Sequence, residues 1–148
     1  MFCKFLTAVI LFVSVSACAK PNYQNQESTT GQNAQQTGQC NLLLKAQNIC
    51  VDIKWEVQPS DTDAGVFNLH FYDPQAVTQL IDPAYSVAVV LWMPSMGHGS
   101  SPVKVEKLEN GIYKASNVFF VMPGDWEIRI QLKDGKNVVE QVIQAINI

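Results

Sequence analysis

Apolar and polar residues alternate with a period of two along much of the chain after Cys50. In residues 51–57, apolar side chains alternate with charged ones, which is the pattern of a strand with one buried face. Residues 67–72 and 126–133 repeat this alternation, and turn residues separate these segments from their neighbours. No stretch carries a sustained 3.6-residue repeat with helix caps. The pattern therefore predicts strands in this part of the chain.

Turn signals and apolar runs predict the other strands. Residues 86–93 are apolar on both faces, which is typical of a strand in the middle of a sheet. Asn110-Gly111 is a strong hairpin signal, and it joins predicted strands over 103–108 and 112–121. The remaining strands are expected over 77–81, as a short edge strand, and over 138–148. About seven short strands at this spacing predict an all-β fold, an antiparallel sandwich of immunoglobulin-like or cupredoxin-like type.

The N-terminal residues have the pattern of an export signal. Lys4 precedes an apolar run over residues 5–15, which is shorter than the about 20 apolar residues that cross a bilayer. The run ends in Val15-Ser16-Ala17-Cys18, which resembles the bacterial lipobox of an aliphatic residue, two small residues and a cysteine. We therefore predict a signal peptide over residues 1–17 and a lipid anchor on Cys18. The alternative is an ordinary signal peptide with an incidental cysteine.

The segment that follows the predicted cleavage point is polar and low in complexity. Nine of the 21 residues in 19–39 are Asn or Gln, and Tyr23 is the only large apolar residue among them. Such a segment cannot offset its ordering entropy by burial, so residues 18–39 are expected to form a disordered tether and residues 40–148 the folded domain. Ala19, in place of an aspartate, favours the outer membrane. The predicted location is thus the cell envelope, on a membrane facing the periplasm.

Cys40 and Cys50 are the thiols that remain in the mature domain. In an exported protein such a pair is most simply a disulfide. The alternative is a redox or metal pair, although the spacing is not Cys-x-x-Cys and no histidine lies nearby in the sequence. The formal net charge is −3 and no run of Lys or Arg is present, so we expect no nucleic-acid partner.

One part of the sequence combines donors for soft metal ions. Met93, Met96 and His98 lie within six positions, and Met122 lies in a turn at the end of another predicted strand. Thioether and imidazole donors suit Cu(I), and Cu(II) when nitrogen or oxygen ligands join, far better than Mg²⁺ or Ca²⁺. The alternative is structural, because methionine is a common core filler and a histidine on a glycine loop is commonly just solvated. Met93, next to a predicted buried strand, fits that packing role best.

Three motifs in order resemble the YtkA-like domain, a family related to FixH-like proteins. They are Leu91-Trp92-Met93-Pro94-Ser95-Met96-Gly97-His98-Gly99, Gly111-Ile112-Tyr113 and Met122-Pro123-Gly124-Asp125-Trp126-Glu127-Ile128. The resemblance covers roughly residues 48–148 and implies an exported sandwich domain. Proteins of this family are often associated with copper handling or with the assembly of copper-containing oxidases. The resemblance implies Met96, His98 and Met122 as copper ligands, with Met93 as a further candidate.

Two classes of function follow from these patterns. The first is a membrane-anchored copper-binding lipoprotein that buffers Cu(I) or delivers it to a cuproprotein or oxidase-assembly partner. The second is a metal-free sandwich that serves as an interaction or envelope-assembly module. We expect no enzyme, because the sequence lacks a Gly-x-Ser-x-Gly elbow and a phosphate-binding glycine loop. His70 is expected to be structural, and Trp55, Trp92 and Trp126 are expected to fill the core.

Overall fold

The computed structural model describes residues 40–60 and 62–148. The predicted signal peptide, the predicted lipidation site at Cys18 and the predicted tether lie outside these residues. Within them, no helix is long and apolar enough to cross a bilayer. The described chain forms ten strands: β1 (Leu42–Leu44), β2 (Ile49–Val57), β3 (Gly65–Asp73), β4 (Ala76–Leu80), β5 (Ser86–Met93), β6 (His98–Gly99), β7 (Lys104–Glu109), β8 (Ile112–Val118), β9 (Asp125–Asp134) and β10 (Asn137–Asn147).

These strands form two antiparallel sheets. The larger sheet has the order β1-β2-β3-β8-β7, with β4 paired to β3, and the smaller sheet has the order β10-β9-β5-β6. The predicted all-β antiparallel sandwich is confirmed, but with ten strands instead of about seven. β1 has three residues and β6 has two, so neither is long enough to show an alternating pattern in the sequence.

The core lies between the sheets and is filled by alternate residues of both. Phe67, Leu69 and Phe71 of β3 are fully buried, as the alternation predicts. Ile128, Ile130 and Leu132 of β9 belong to the same apolar cluster. Burying a side chain of this size stabilises the folded state by about 1.5–3 kcal/mol. The long strands that carry the core are thus the ones with the clearest sequence pattern.

The burial of β5 differs from what its apolar sequence suggests. β5 pairs with β9 from Ser86 to Trp92, but on its other side it pairs with β6 only at Trp92 and Met93. Val90 is 37% exposed, so the second apolar face of β5 is not covered by another layer. Trp92 lies on that outer face, where the guanidinium of Arg129 sits 4.9 Å from the ring centroid. β5 lies between β9 and β6, as predicted for a strand in the middle of a sheet, but its outer apolar face is not buried.

The tryptophans and the end of β8 also differ from expectation. Trp126 is 1% exposed and fills the core as predicted. Trp55 is half-buried and packs against the core, whereas Trp92 lies on the outer face of β5. β8 ends at Val118 rather than at residue 121. Asn117 has a φ of 62°, a left-handed conformation that ordinary strands do not contain. From there the chain leaves the larger sheet and runs toward Met122.

A disulfide and the carboxylate of Asp82 each tie a connecting segment to the larger sheet. The predicted Cys40–Cys50 disulfide is confirmed, with a Cα–Cα distance of 5.5 Å, and closing this short loop stabilises the fold by about 2–3 kcal/mol. Asp82, between β4 and β5, accepts hydrogen bonds from the Gly111 backbone N–H at 2.8 Å and from the Tyr113 hydroxyl at 3.3 Å. Its other carboxylate oxygen pairs with the Lys107 ammonium. Lys107, followed by the Gly111 N–H, holds the pKa of Asp82 below its usual value.

Candidate metal centre

A tight turn after β5 carries two of the candidate ligands. The carbonyl oxygen of Met93 accepts hydrogen bonds from the backbone N–H groups of Met96 at 3.3 Å and Gly97 at 3.0 Å. Gly97 has a φ of 67°, in the left-handed region that glycine enters without steric cost. The chain therefore reverses into β6, where His98 pairs with Met93. Met96 lies in this turn with 60% of its surface exposed.

His98 is half-buried, and its ring is held on both sides. Its Nδ1 lies 3.0 Å from the carbonyl oxygen of Gly99. Because a carbonyl oxygen can only accept, this contact requires a proton on Nδ1, and Nε2 is the ring nitrogen that it leaves available to a metal ion. The ring packs edge-to-face with Trp126, with 6.1 Å between centroids and 74° between planes.

Met122 lies in the connection between β8 and β9. Its carbonyl oxygen accepts a hydrogen bond of 3.0 Å from the indole N–H of Trp126. The following Gly124 exchanges two backbone hydrogen bonds with Ile148, each of 3.0 Å. The backbone on either side of Met122 is thus fixed, while its side chain is 37% exposed.

Three contacts bring these two loops to the same end of the sandwich. The Ser100 hydroxyl donates to the carbonyl oxygen of Phe119, which links the residue after β6 to the segment before Met122. Trp126 contacts His98 through its ring and Met122 through its N–H. The third contact is at Gly124, where an added Cβ would lie 3.1 Å from Cε of Met93. Met93 therefore packs directly against the turn that holds Met122.

Burial divides the four candidate residues into two groups. Met96, His98 and Met122 lie at one end of the sandwich with side chains that solvent reaches, whereas Met93 is 2% exposed and belongs to the apolar core cluster. Packing alone accounts for Met93. The contact of Ser100 and the hydrogen bond of the Trp126 N–H were not predicted from the sequence. The sequence feature that could have indicated this hydrogen bond is the position of Trp126, four residues after a methionine in a predicted turn.

The donor set at this end is two thioethers and one imidazole. Residues 93–103 and 117–124 contain no Asp, Glu, Lys or Arg. In the part of the chain that the structure describes, no group of three or more His, Cys, Asp and Glu side chains is arranged to hold a metal ion. Soft, uncharged donors of this kind fit a soft cation such as Cu(I) and offer little to Mg²⁺ or Ca²⁺.

His70 lies far from this set along the chain, on the outer face of the larger sheet. It pairs across strands with Asp52, whose Oδ1 accepts a hydrogen bond of 3.2 Å from the Tyr72 hydroxyl. Burial, together with the charge of Asp52, raises the pKa of Tyr72 to about 12. The phenol therefore stays protonated and donates to Asp52 at physiological pH.

Comparison with known proteins identifies the family of this chain. No curated protein matches it. The family model described as YtkA-like matches residues 44–131, a range that includes both loops of the candidate metal centre. Since this match covers more than half of the sequence, the chain belongs to the YtkA-like family.

Proposed function

We propose that this protein is an exported lipoprotein that binds Cu(I) through Met96, His98 and Met122. It would buffer the ion or deliver it to a cuproprotein or oxidase-assembly partner. The observation that supports this proposal most is the meeting of two loops, distant in sequence, at one end of the sandwich. Their shared contacts through Trp126 keep an imidazole and a thioether-bearing turn side by side, and both thioethers remain exposed.

The chemistry of the donors favours Cu(I) as cargo. Thioethers and neutral imidazole are soft or borderline ligands that bind Cu(I) without needing a negative charge. They also remain ligands in an oxidising compartment, where a pair of thiols becomes a disulfide. Met93 has no part in this ligand set, because its side chain is needed for packing below the Gly124 turn.

The proposed role is binding and transfer without a chemical reaction. A site with exposed thioethers allows a partner's ligand to approach the ion before the first ligand leaves. Transfer would then proceed by exchange of one ligand at a time. The lipid anchor at Cys18, which lies outside the described residues, would hold the domain on the periplasmic side of a membrane, with the outer membrane favoured by Ala19.

A competition titration tests the proposal. Full-length protein in detergent micelles is loaded with Cu(I) under ascorbate in the presence of a chromophoric Cu(I) chelator. Free thiols are alkylated beforehand, because Cys3 and Cys18 would bind Cu(I) wherever they are unmodified. We expect one Cu(I) per chain, and a loss of affinity of about tenfold or more in each of Met96→Leu, His98→Ala and Met122→Leu.

The matched control is His70→Ala, which removes the other histidine, on the outer face of the larger sheet. Its affinity should equal that of the unaltered protein. No uptake of Cu(I), or equal affinity in all three ligand variants, would reject the proposal and leave the metal-free interaction or envelope-assembly module as the better function.

A further inference from the structure

We infer that Trp126 is a positioning residue that joins the two halves of the copper site, and that His98 binds the ion through Nε2. This inference rests on the proposed function. It starts from the position of the indole, which contacts His98 on one loop and Met122 on the other. Trp126 thus contacts one proposed ligand on each of the two loops.

The indole N–H fixes the Met122 turn. It donates a hydrogen bond of 3.0 Å to the Met122 carbonyl oxygen, and Trp126 is 1% exposed. Water therefore competes little for this bond, and a hydrogen bond in such a shielded place is stronger than one in solvent. The turn is held in one backbone conformation before any ion arrives, which lowers the ordering cost of binding.

The indole ring fixes the imidazole of His98. The 6.1 Å centroid distance and the 74° angle are those of a favourable edge-to-face aromatic pair. Nδ1 is held by the Gly99 carbonyl, so Nε2 is the ring atom left to bind the ion. The aromatic contact with Trp126 therefore restrains the orientation of the imidazole in which Nε2 binds the ion.

The indole itself has little freedom to move. It stands at the start of β9 and packs edge-to-face against Phe120, with ring centroids 5.4 Å apart. The Ser100–Phe119 hydrogen bond ties the same two loops independently of the indole. Removal of the indole N–H should therefore loosen the ligand geometry without separating the loops. Affinity should fall while the stoichiometry of binding stays the same.

The test follows Cu(I) binding by tryptophan emission and by chelator competition in the full-length protein with its free thiols alkylated. The key variant is Trp126→Phe, which keeps an aromatic ring but has no N–H. The matched controls are Trp55→Phe and Trp92→Phe. We expect Cu(I) to quench emission in the unaltered protein and in both controls, but not in Trp126→Phe. In Trp126→Phe the affinity should fall about tenfold with one Cu(I) per chain retained.

A second variant keeps the inference testable if Trp126→Phe fails to fold. In Trp55→Phe/Trp92→Phe, Trp126 is the sole tryptophan and should show the full quenching. Nitrogen-15 NMR of His98 should show the large shift on binding at Nε2 and not at Nδ1.

Two results would overturn this inference while leaving the proposed function intact. One is an unchanged affinity in folded Trp126→Phe, and the other is the absence of quenching in the protein that retains only Trp126. Failure of the unaltered protein to bind Cu(I) would instead reject both.

Discussion

Burial decides the role of each methionine at the candidate centre. Met93 and Met96 lie three positions apart, yet one is 2% exposed and the other 60%. The difference arises from the turn between them, in which the backbone of Met93 receives the hydrogen bonds of Met96 and Gly97. A side chain at the end of β5 points into the sandwich, while one in the turn points away from it. Composition alone gives both residues the same chemistry.

Substitution of these two methionines should therefore give opposite results. Met93→Ala removes buried thioether contacts and should lower the free energy of unfolding by about 2–5 kcal/mol. Met96→Ala alters an exposed side chain and should change it by less than about 0.5 kcal/mol. Urea denaturation followed by circular dichroism measures both. A large loss of stability in Met96→Ala together with a small one in Met93→Ala would contradict this assignment.

At the scale of elements, sequence alternation predicted the long strands well and the short ones poorly. β2, β3 and β9 each have nine or ten residues with one buried face, so their period is visible without knowledge of their neighbours. The pattern of β5 was misleading. Its outer apolar residues are partly covered by a single long side chain, Arg129 over Trp92, rather than by another layer of the fold. A local pattern reports apolar surface but not what covers it.

The candidate site shows the same limit. Residue chemistry was sufficient to name Met96, His98 and Met122 as soft donors. Their contacts depend on pairing between segments that are more than twenty residues apart in the sequence, which no local period specifies. Trp126 was assigned to the core because tryptophan usually is buried. Its N–H bond to the Met122 carbonyl became visible only in the folded arrangement.

Asp82 provides a pH-dependent test of how the β4–β5 connection is held. Its pKa is lowered in the folded state, first by Lys107 and then by the Gly111 N–H. A lowered pKa stabilises the fold at pH values above the unfolded carboxyl pKa of about 3.9. That contribution is lost as the pH falls through the lower folded value. Asp82→Asn should thus be less stable than the unaltered protein at neutral pH, and the difference should shrink below about pH 4.

The measurement is urea unfolding across this pH range, with Lys107→Met and the double variant completing a mutant cycle. The interaction free energy between Asp82 and Lys107 should stabilise the fold at neutral pH and should become smaller in acid. A difference between Asp82→Asn and the unaltered protein that stays constant from neutral pH to about pH 2 would show that the ionised carboxylate is not what holds the connection.

At the scale of the whole molecule, the candidate centre lies where the β5–β6 turn meets the connection from the larger sheet to the smaller one. Met96 and His98 follow a strand of the smaller sheet, while Met122 follows β8 of the larger one. An ion bound to all three would therefore join the β5–β6 turn to the β8–β9 connection at one end of the sandwich. Because the unfolded chain has no such preformed donor set, binding should stabilise the whole fold rather than one loop.

We predict that free Cu(I) at about 100 times its dissociation constant raises the free energy of unfolding by about 2.7 kcal/mol. Met122→Leu should abolish most of this gain, because the remaining donors lie in the β5–β6 turn and no longer join it to the β8–β9 connection. Hydrogen exchange should show the corresponding slowing in β5 of the smaller sheet and β8 of the larger sheet of the unaltered protein. Mg²⁺ at the same concentration is the control and should have no effect, since thioethers do not bind it. Equal stabilisation by Mg²⁺, or slowing confined to residues 93–99, would argue against an ion that joins the two connections.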